Sequence, residues 1–245
     1  MSRVAASKSL VALARRIEVC RLCPRLVEHR EEVALTKRRA YANETYWGRP
    51  VAGFGDPSAR IVVVGLAPGA HGANRTGRPF TGDRSGEFLY AALHRMGLAN
   101  QATSTRRDDG LMLRDVFVTL PVRCVPPDNK PSREEIDTCS RWFEKELALL
   151  SETRAVVALG RIAFDSVMRL SRGEGEGSAT RAKRSPAAFA HGAVSEIAWP
   201  LTSRRRVVLV ASYHVSQQNT QTGRLTPAMF DDVLKRAIRA AQAVS

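Results

Sequence analysis

Four short apolar runs punctuate the chain: Ile61–Val64 in RIVVVG, Val116–Leu120 in DVFVTL, Ala155–Leu159 in AVVALG and Val207–Val210 in RVVLVAS. They are rich in β-branched residues and nearly continuous rather than alternating. Strands of a parallel sheet covered on both faces carry that pattern. Helical patterns lie between them. Ser85–Met96 puts Phe88, Leu89, Leu93 and Met96 on one face. Ser132–Leu150 opens with Ser132-Arg-Glu-Glu135, a capping-box arrangement. Ile162–Leu170 follows the third run directly after Gly160, and Thr226–Val244 starts with a Thr cap and Pro227 at the first helical position. Strand and helix alternate, which predicts an α/β sandwich around a parallel sheet.

Two segments break the pattern. Tyr41–Pro57 is a turn-rich connection into the first strand, and Arg172–Pro186 is Gly-, Ser- and charge-rich, which predicts a mobile surface loop. No internal repeat and no second domain is visible, so residues 1–245 are expected to form a single domain. No run of about eighteen apolar residues occurs, so no membrane span is expected. The N-terminal stretch lacks the continuous apolar core and small-residue cleavage site of a secretory signal, and a cytoplasmic location is expected.

Charge narrows the partners. The net charge is +14, from 38 Lys+Arg against 24 Asp+Glu. Arginine dominates the cations and suits bidentate contacts to phosphate. Such an excess points to a polyanion, most plausibly nucleic acid, although an arginine-rich proteome also yields basic surfaces.

Cysteine usage is sparse and patterned: Cys20-x-x-Cys23, Cys124 and Cys139. Four thiolates are a full ligand set for one tetrahedral metal or one iron–sulfur cluster. Unrelated buried thiols and a zinc site are the rivals. Structural zinc usually takes two tight knuckles, and only one pair is tight here, so the asymmetry favours a cluster over zinc.

In an open parallel sheet, ligands bind beyond the carboxyl ends of the strands. The segments there are Gly65-Leu-Ala-Pro-Gly69 with Gly77-Arg-Pro-Phe-Thr-Gly-Asp83, Val122–Lys130, and Ser212–Leu225. The first is neither a dinucleotide fingerprint nor a Walker loop. Phe80, in a polar turn, is either a plug for the core or a flat platform for a flipped base. His214, just past the fourth strand, is placed to donate to an oxyanion or to act as acid or base.

Together these segments resemble the type 5 uracil-DNA glycosylases. The resemblance is carried by Gly65-Leu-Ala-Pro-Gly69, Gly77-Arg-Pro-Phe-Thr-Gly-Asp83, Val122-Arg-Cys-x-Pro-Pro-x-Asn-Lys130, His214-x-Ser216 and the cysteine spacing. It implies a three-layer α/β/α sandwich with a four-stranded parallel sheet. It also implies a [4Fe-4S] cluster on Cys20, Cys23, Cys124 and Cys139, which would tie in an N-terminal helical segment of about residues 1–40. The implied activity is excision of damaged bases from double-stranded DNA, by a monomer. Phe80 would stack on the extruded base, with Gly65, Leu66, Ala67, Gly69 and Leu120 around it. His214 would contact a base carbonyl oxygen. Ser216, Gln217, Gln218, Asn219, Thr220 and Arg224 would meet DNA, with residues 217–220 as the wedge that holds the nucleotide out.

The chain departs from related patterns at three places. Type 4 relatives carry a glutamate where Leu66 stands, which leaves Asp83 as the nearest carboxylate to order a water. Relatives often have asparagine where Leu120 stands, so relaxed base selection is expected, because leucine offers no amide. The usual His-Pro-Ser is His-Val-Ser here. The competing class is a non-catalytic, metal-stapled nucleic-acid binder, which has no need for Phe80 and His214 after different strands.

Overall fold

The structure is a computed structural model that describes residues 3–172, 188–199 and 205–243. In chain order its strands are β1 (Phe54–Gly55), β2 (Ile61–Val64), β3 (Val116–Thr119), β4 (Ala155–Leu159), β5 (Val194–Ala198) and β6 (Arg206–Ser212). Its helices are α1 (Arg3–Glu18), α2 (Pro24–Thr36), α3 (Ala73–Thr76), α4 (Arg84–Arg95), α5 (Arg133–Leu149), α6 (Arg161–Ser171), α7 (Gln217–Gln221) and α8 (Pro227–Gln242). The expected loop 172–186 lies outside the described residues, apart from Arg172, which closes α6. None of the described helices is long and apolar enough to cross a membrane.

The sheet runs β1-β3-β2-β4-β6-β5. The four expected strands are its parallel centre, with Ile61 facing Val116 and Ala155, and Ala155 facing Val208. An antiparallel strand extends each edge: β1 on β3 and β5 on β6. Both additions are weak in the sequence. β1 has two half-buried residues, and β5 exposes Val194 and Glu196 as an edge strand does.

Side chains alternate across the central strands and so split the core in two. Ile61, Val63, Val118 and Val157 point to one face, against Leu89 and Leu93 of α4 and Phe230 and Leu234 of α8. Val62, Val64, Val156 and Ala158 point to the other, against Phe143 and Leu147 of α5 and Phe164 and Val167 of α6. Each such large apolar side chain contributes about 1.5–3 kcal/mol on burial. The helices start where the sequence indicates. Ser132 and Glu135 form the capping box of α5, and Thr226 caps α8 ahead of Pro227.

This order sets the carboxyl ends of β3, β2, β4 and β6 side by side. The residues that leave them are Leu120, Gly65, Gly160 and Tyr213-His214. One edge of the sheet therefore gathers three of the segments that the sequence marks for chemistry.

Candidate active site

A cavity of about 520 Å³ opens at that edge. Its floor is Phe80 with Leu120, and the two meet over Gly65. A Cβ on Gly65 would lie 2.5 Å from Phe80 Cζ and 2.8 Å from Leu120 Cδ2, so only glycine fits beneath them. Leu66, Ala67 and Gly69 form one wall. Phe80 has a left-handed backbone, φ 51°. For a bulky residue that conformation costs on the order of 1–3 kcal/mol and must be imposed by the surroundings. Phe80 is only 7% exposed yet lines the cavity, so it plugs the core and also presents a face to the cavity.

His214 enters from the opposite side, its ring centroid 6.2 Å from that of Phe80 and tilted by 35°. Gly160, at the end of β4 with φ 90°, makes room: a Cβ there would sit 3.2 Å from His214 Cβ. Burial pushes the His214 pKa down to about 4, so the imidazole is neutral at physiological pH. Fully buried Val215 anchors the next position in the core, which accounts for valine in His-Val-Ser.

Asp83 closes a third side. Its Oδ1 caps α4 by accepting from the Gly86 N–H at 2.9 Å. Its Oδ2 faces the backbone of Gly72 and Gly69, where a Cβ would come within 1.9 Å and 3.1 Å of it. Burial raises the Asp83 pKa, partly opposed by the Gly86 and Ser85 N–H groups. The carboxylate thus caps α4 and packs against the Gly69–Gly72 backbone at the edge of the cavity.

Ser216, Gln217 and Gln218 line the mouth. Asn219, Thr220 and Arg224 lie outside the cavity. Asn219 Nδ2 donates to the His214 carbonyl at 2.8 Å and Thr220 Oγ1 donates to the Ser216 carbonyl at 3.2 Å, so both hold the loop. Arg224 rests 4.7 Å over the Tyr213 ring, which itself stacks on His191. Four further residues line the cavity that the sequence reading gave no role: Arg84 and Ser85, and Asp128 and Asn129 within the marked Val122–Lys130 segment. Arg84 and Ser85 form the first turn after the Asp83 cap. Asp128 and Asn129 have φ of 53° and 56°, and an Asp-Asn pair after two prolines is the available signal for such a turn.

The uracil DNA glycosylase superfamily model matches residues 52–238. A type-5 uracil-DNA glycosylase of Mycobacterium leprae is 52% identical over 94% of this chain and 94% of its own. That of Thermus thermophilus is 53% identical, over 94% of this chain and 97% of its own. The chain belongs to the type-5 uracil-DNA glycosylases. A type-4 enzyme of Pyrobaculum aerophilum matches only about half of the chain, at 36% identity.

In this type-5 glycosylase the four cysteines meet on the far side of the Ala67 wall. Cys20, Cys23, Cys124 and Cys139 line one pocket between α2, the β3–α5 loop and α5. Three of the sulfurs receive N–H groups: Cys124 from Arg30 Nη1 at 3.2 Å, Cys139 from the Arg123 backbone at 3.3 Å and Cys20 from Trp142 Nε1 at 3.3 Å. Burial, with a smaller push from neighbouring cysteines, raises the Cys23 thiol to about 11 and the Cys139 thiol to about 12. Arg30 and Arg123 are buried cations beside the sulfurs, and the Nε of each has no partner. Arg123 also pairs with buried Glu146 at 2.9 Å. Among the described residues, no three Cys, His, Asp or Glu side chains are grouped as one metal ion requires.

Proposed function

We propose that the chain excises uracil and related damaged bases from DNA by hydrolysing the N-glycosidic bond and leaving an abasic site. The observation that carries this is the convergence of Phe80, His214 and Asp83 on one cavity at the carboxyl edge of the sheet. The type-5 relatives support it. The nucleotide rotates out of the duplex, its base lies on the Phe80 ring, and Gln217 and Gln218 stand at the mouth to occupy the space it left.

The C1′–N bond breaks with its electron pair departing on the base, and the sugar becomes oxocarbenium-like. The base then carries developing negative charge. The neutral imidazole of His214 stabilises a base carbonyl oxygen by donating a hydrogen bond, and does not transfer a proton. One such preorganised donor is worth about 3–4 kcal/mol. The Asp83 carboxylate holds a water for attack on C1′; that water's oxygen becomes the new hydroxyl of the abasic sugar, and its second proton passes to Asp83 and on to solvent, from which the released base anion is protonated. Asp83 and the DNA phosphates offset the positive sugar. Leu120, which offers neither donor nor acceptor, leaves the base edge unread, so hypoxanthine and other damaged pyrimidines join uracil as substrates.

The cysteine pocket fits a [4Fe-4S] cluster on Cys20, Cys23, Cys124 and Cys139. Arg30 Nη1, the Arg123 N–H and Trp142 Nε1 donate to three of the sulfurs, an environment suited to thiolates, and the sulfurs are not grouped as one ion requires, which favours a core larger than one ion. When bound, it supplies iron–thiolate cross-links among α2, the β3–α5 loop and α5.

The test is a uracil-containing duplex incubated with purified protein, then treated with alkali to cleave abasic sites. Strand scission with wild type, and its loss in His214→Ala with DNA binding retained, is expected. Intact bases across a panel of lesions would leave only a binding protein. Iron and acid-labile sulfide in equal amounts would identify the cluster, and zinc alone would replace it.

A further inference from the structure

Phenylalanine does not choose a left-handed backbone, so something must hold Phe80 in it. Tyr90 of α4 is fully buried, and its hydroxyl donates to the Pro79 carbonyl at 2.8 Å. Thr81 Oγ1 donates to the same carbonyl at 3.1 Å. The Arg78 side chain then folds back over its own turn, and its Nε donates to Thr81 Oγ1 at 2.9 Å. The Tyr90 bond ties the turn to α4, and the Thr81 and Arg78 bonds act within the turn.

The other end of the Arg78 guanidinium joins the turn to the segment before β3, alongside the Thr81 Oγ1–Ser104 Oγ bond at 2.7 Å and the Gly82 N–H on the Ser104 carbonyl at 2.9 Å. Its Nη2 donates to Ser104 Oγ at 2.8 Å and to Asp109 Oδ2 at 2.7 Å, and its Nη1 donates to the Arg107 carbonyl at 3.2 Å. Arg78 and Asp109 are 3% and 8% exposed at their side chains, which makes this a buried ion pair. Asp109 is itself fixed by the N–H groups of Thr105 and Leu111, at 2.7 Å and 3.1 Å. Burial works against its ionisation, but Arg78 and the backbone N–H groups outweigh it and hold the carboxyl well below the usual range. The segment between α4 and β3, which has no regular helix or strand, is thus folded around Asp109 and bolted to the Phe80 turn.

We propose that Arg78 and Asp109 are positioning residues for excision: the pair sets the height of the Phe80 ring over the cavity floor. This rests on the reading of Phe80 as the surface on which the base lies. A pair that served stability alone would act independently of Phe80, whereas a pair that acts through the ring has nothing left to position once the ring is gone.

A double-mutant cycle separates the two. Single-turnover excision from a uracil-containing duplex is measured for Phe80→Ala, Arg78→Met, Asp109→Asn and the double variants, alongside affinity for the same duplex with thymine in place of uracil. Arg78→Met and Asp109→Asn are each expected to slow excision by about tenfold or more, with affinity for the thymine duplex changed less than about twofold. In the Phe80→Ala background either change is expected to slow excision by less than about twofold. Arg78→Lys, which keeps the charge but not the fork, is expected to recover part of the rate. Multiplying effects in the double variants would overturn the proposal, and so would equal loss of excision and of affinity. If Phe80→Ala alone leaves excision intact, the stacking reading falls and this proposal with it. If Phe80→Ala is slow but the Arg78 and Asp109 variants are normal, only this proposal falls. Should Arg78→Met fail to fold, the nearly isosteric Asp109→Asn carries the cycle, and its failure to fold as well would make the pair a strut of the fold and overturn the proposal.

Discussion

The protonation state of His214 separates two mechanisms that a static site would otherwise leave equivalent. Burial between Phe80 and the end of β4 lowers its pKa to about 4. At pH 7 only about one molecule in a thousand would carry an imidazolium, from the three-unit gap. A mechanism that protonates the leaving base through His214 would use that fraction alone, and its rate would fall about tenfold for each pH unit above 4. A neutral donor is present at full strength throughout that range. Single-turnover excision is therefore expected to be flat from about pH 6 to 8. Below that, two protonations act in the same direction. Burial raises the Asp83 pKa, so its carboxylate is lost at a higher pH than a free aspartate would be, and the rate falls with it. Stability follows the same sign: the folded His214 pKa lies below its unfolded value, so the unfolded chain takes up the proton first and stability declines as pH drops from about 6.5 towards 4. His214→Ala should slow excision by about 10²–10³-fold, the worth of one such donor, with DNA affinity little changed. A rate that climbs steadily as pH falls from 8 to 5 would refute the neutral-donor reasoning outright.

Gly65→Ala should cripple excision while the protein still folds, because the new methyl must displace the Phe80 ring or Leu120, both closer than 3 Å to it; unchanged single-turnover rates would mean that the ring is free to move. Leu120→Asn should raise the preference for uracil over hypoxanthine in an oligonucleotide panel, at about 1–3 kcal/mol of stability for a buried amide left unpaired, and an unchanged ratio would remove Leu120 from base selection. Cys139→Ser should abolish visible charge-transfer absorption and lower the melting temperature, and an unaltered spectrum would take Cys139 out of the ligand set.

The centre of the sheet was legible because its strands are buried on both faces, and an unbroken β-branched run has few other homes. The edge strands were not. β1 is two residues long, and β5 alternates exposed and buried positions, so neither yields a run of its own. Phe80, Asp83 and His214 were legible because each closely follows a strand end or opens a helix, and the sheet order then brings those points together. Asp128 and Asn129 were not, because their reach into the cavity depends on two consecutive left-handed residues that turn the chain back. The buried Arg123–Glu146 pair was also hidden, since hydrophobic periodicity marks apolar positions and passes over a paired charge.

One loop links the two centres of the molecule. Leu120 lies on the cavity floor, Cys124 lines the cysteine pocket, and Asp128 and Asn129 return to the cavity rim. The loop is held by Arg123 on Glu146, by the Val51 N–H on the Arg123 carbonyl at 2.8 Å and by the Val122 N–H on the Leu66 carbonyl at 3.2 Å. Ala67 of the cavity wall packs on the same small apolar group as Leu26, Val122 and Cys124. The two main cores flanking the sheet share no cysteine with it. Loss of the proposed cluster would therefore act on the wall and rim of the cavity through this loop, and on β3 through Arg123 and Glu146, which accepts from Thr119 Oγ1. Phe80, Asp83 and His214, to which the proposed chemistry falls, all sit on the other strand-end segments. In the proposed mechanism the cysteine centre would bear on how well the cavity is walled, while the chemistry inside it would fall to residues outside the cysteine pocket.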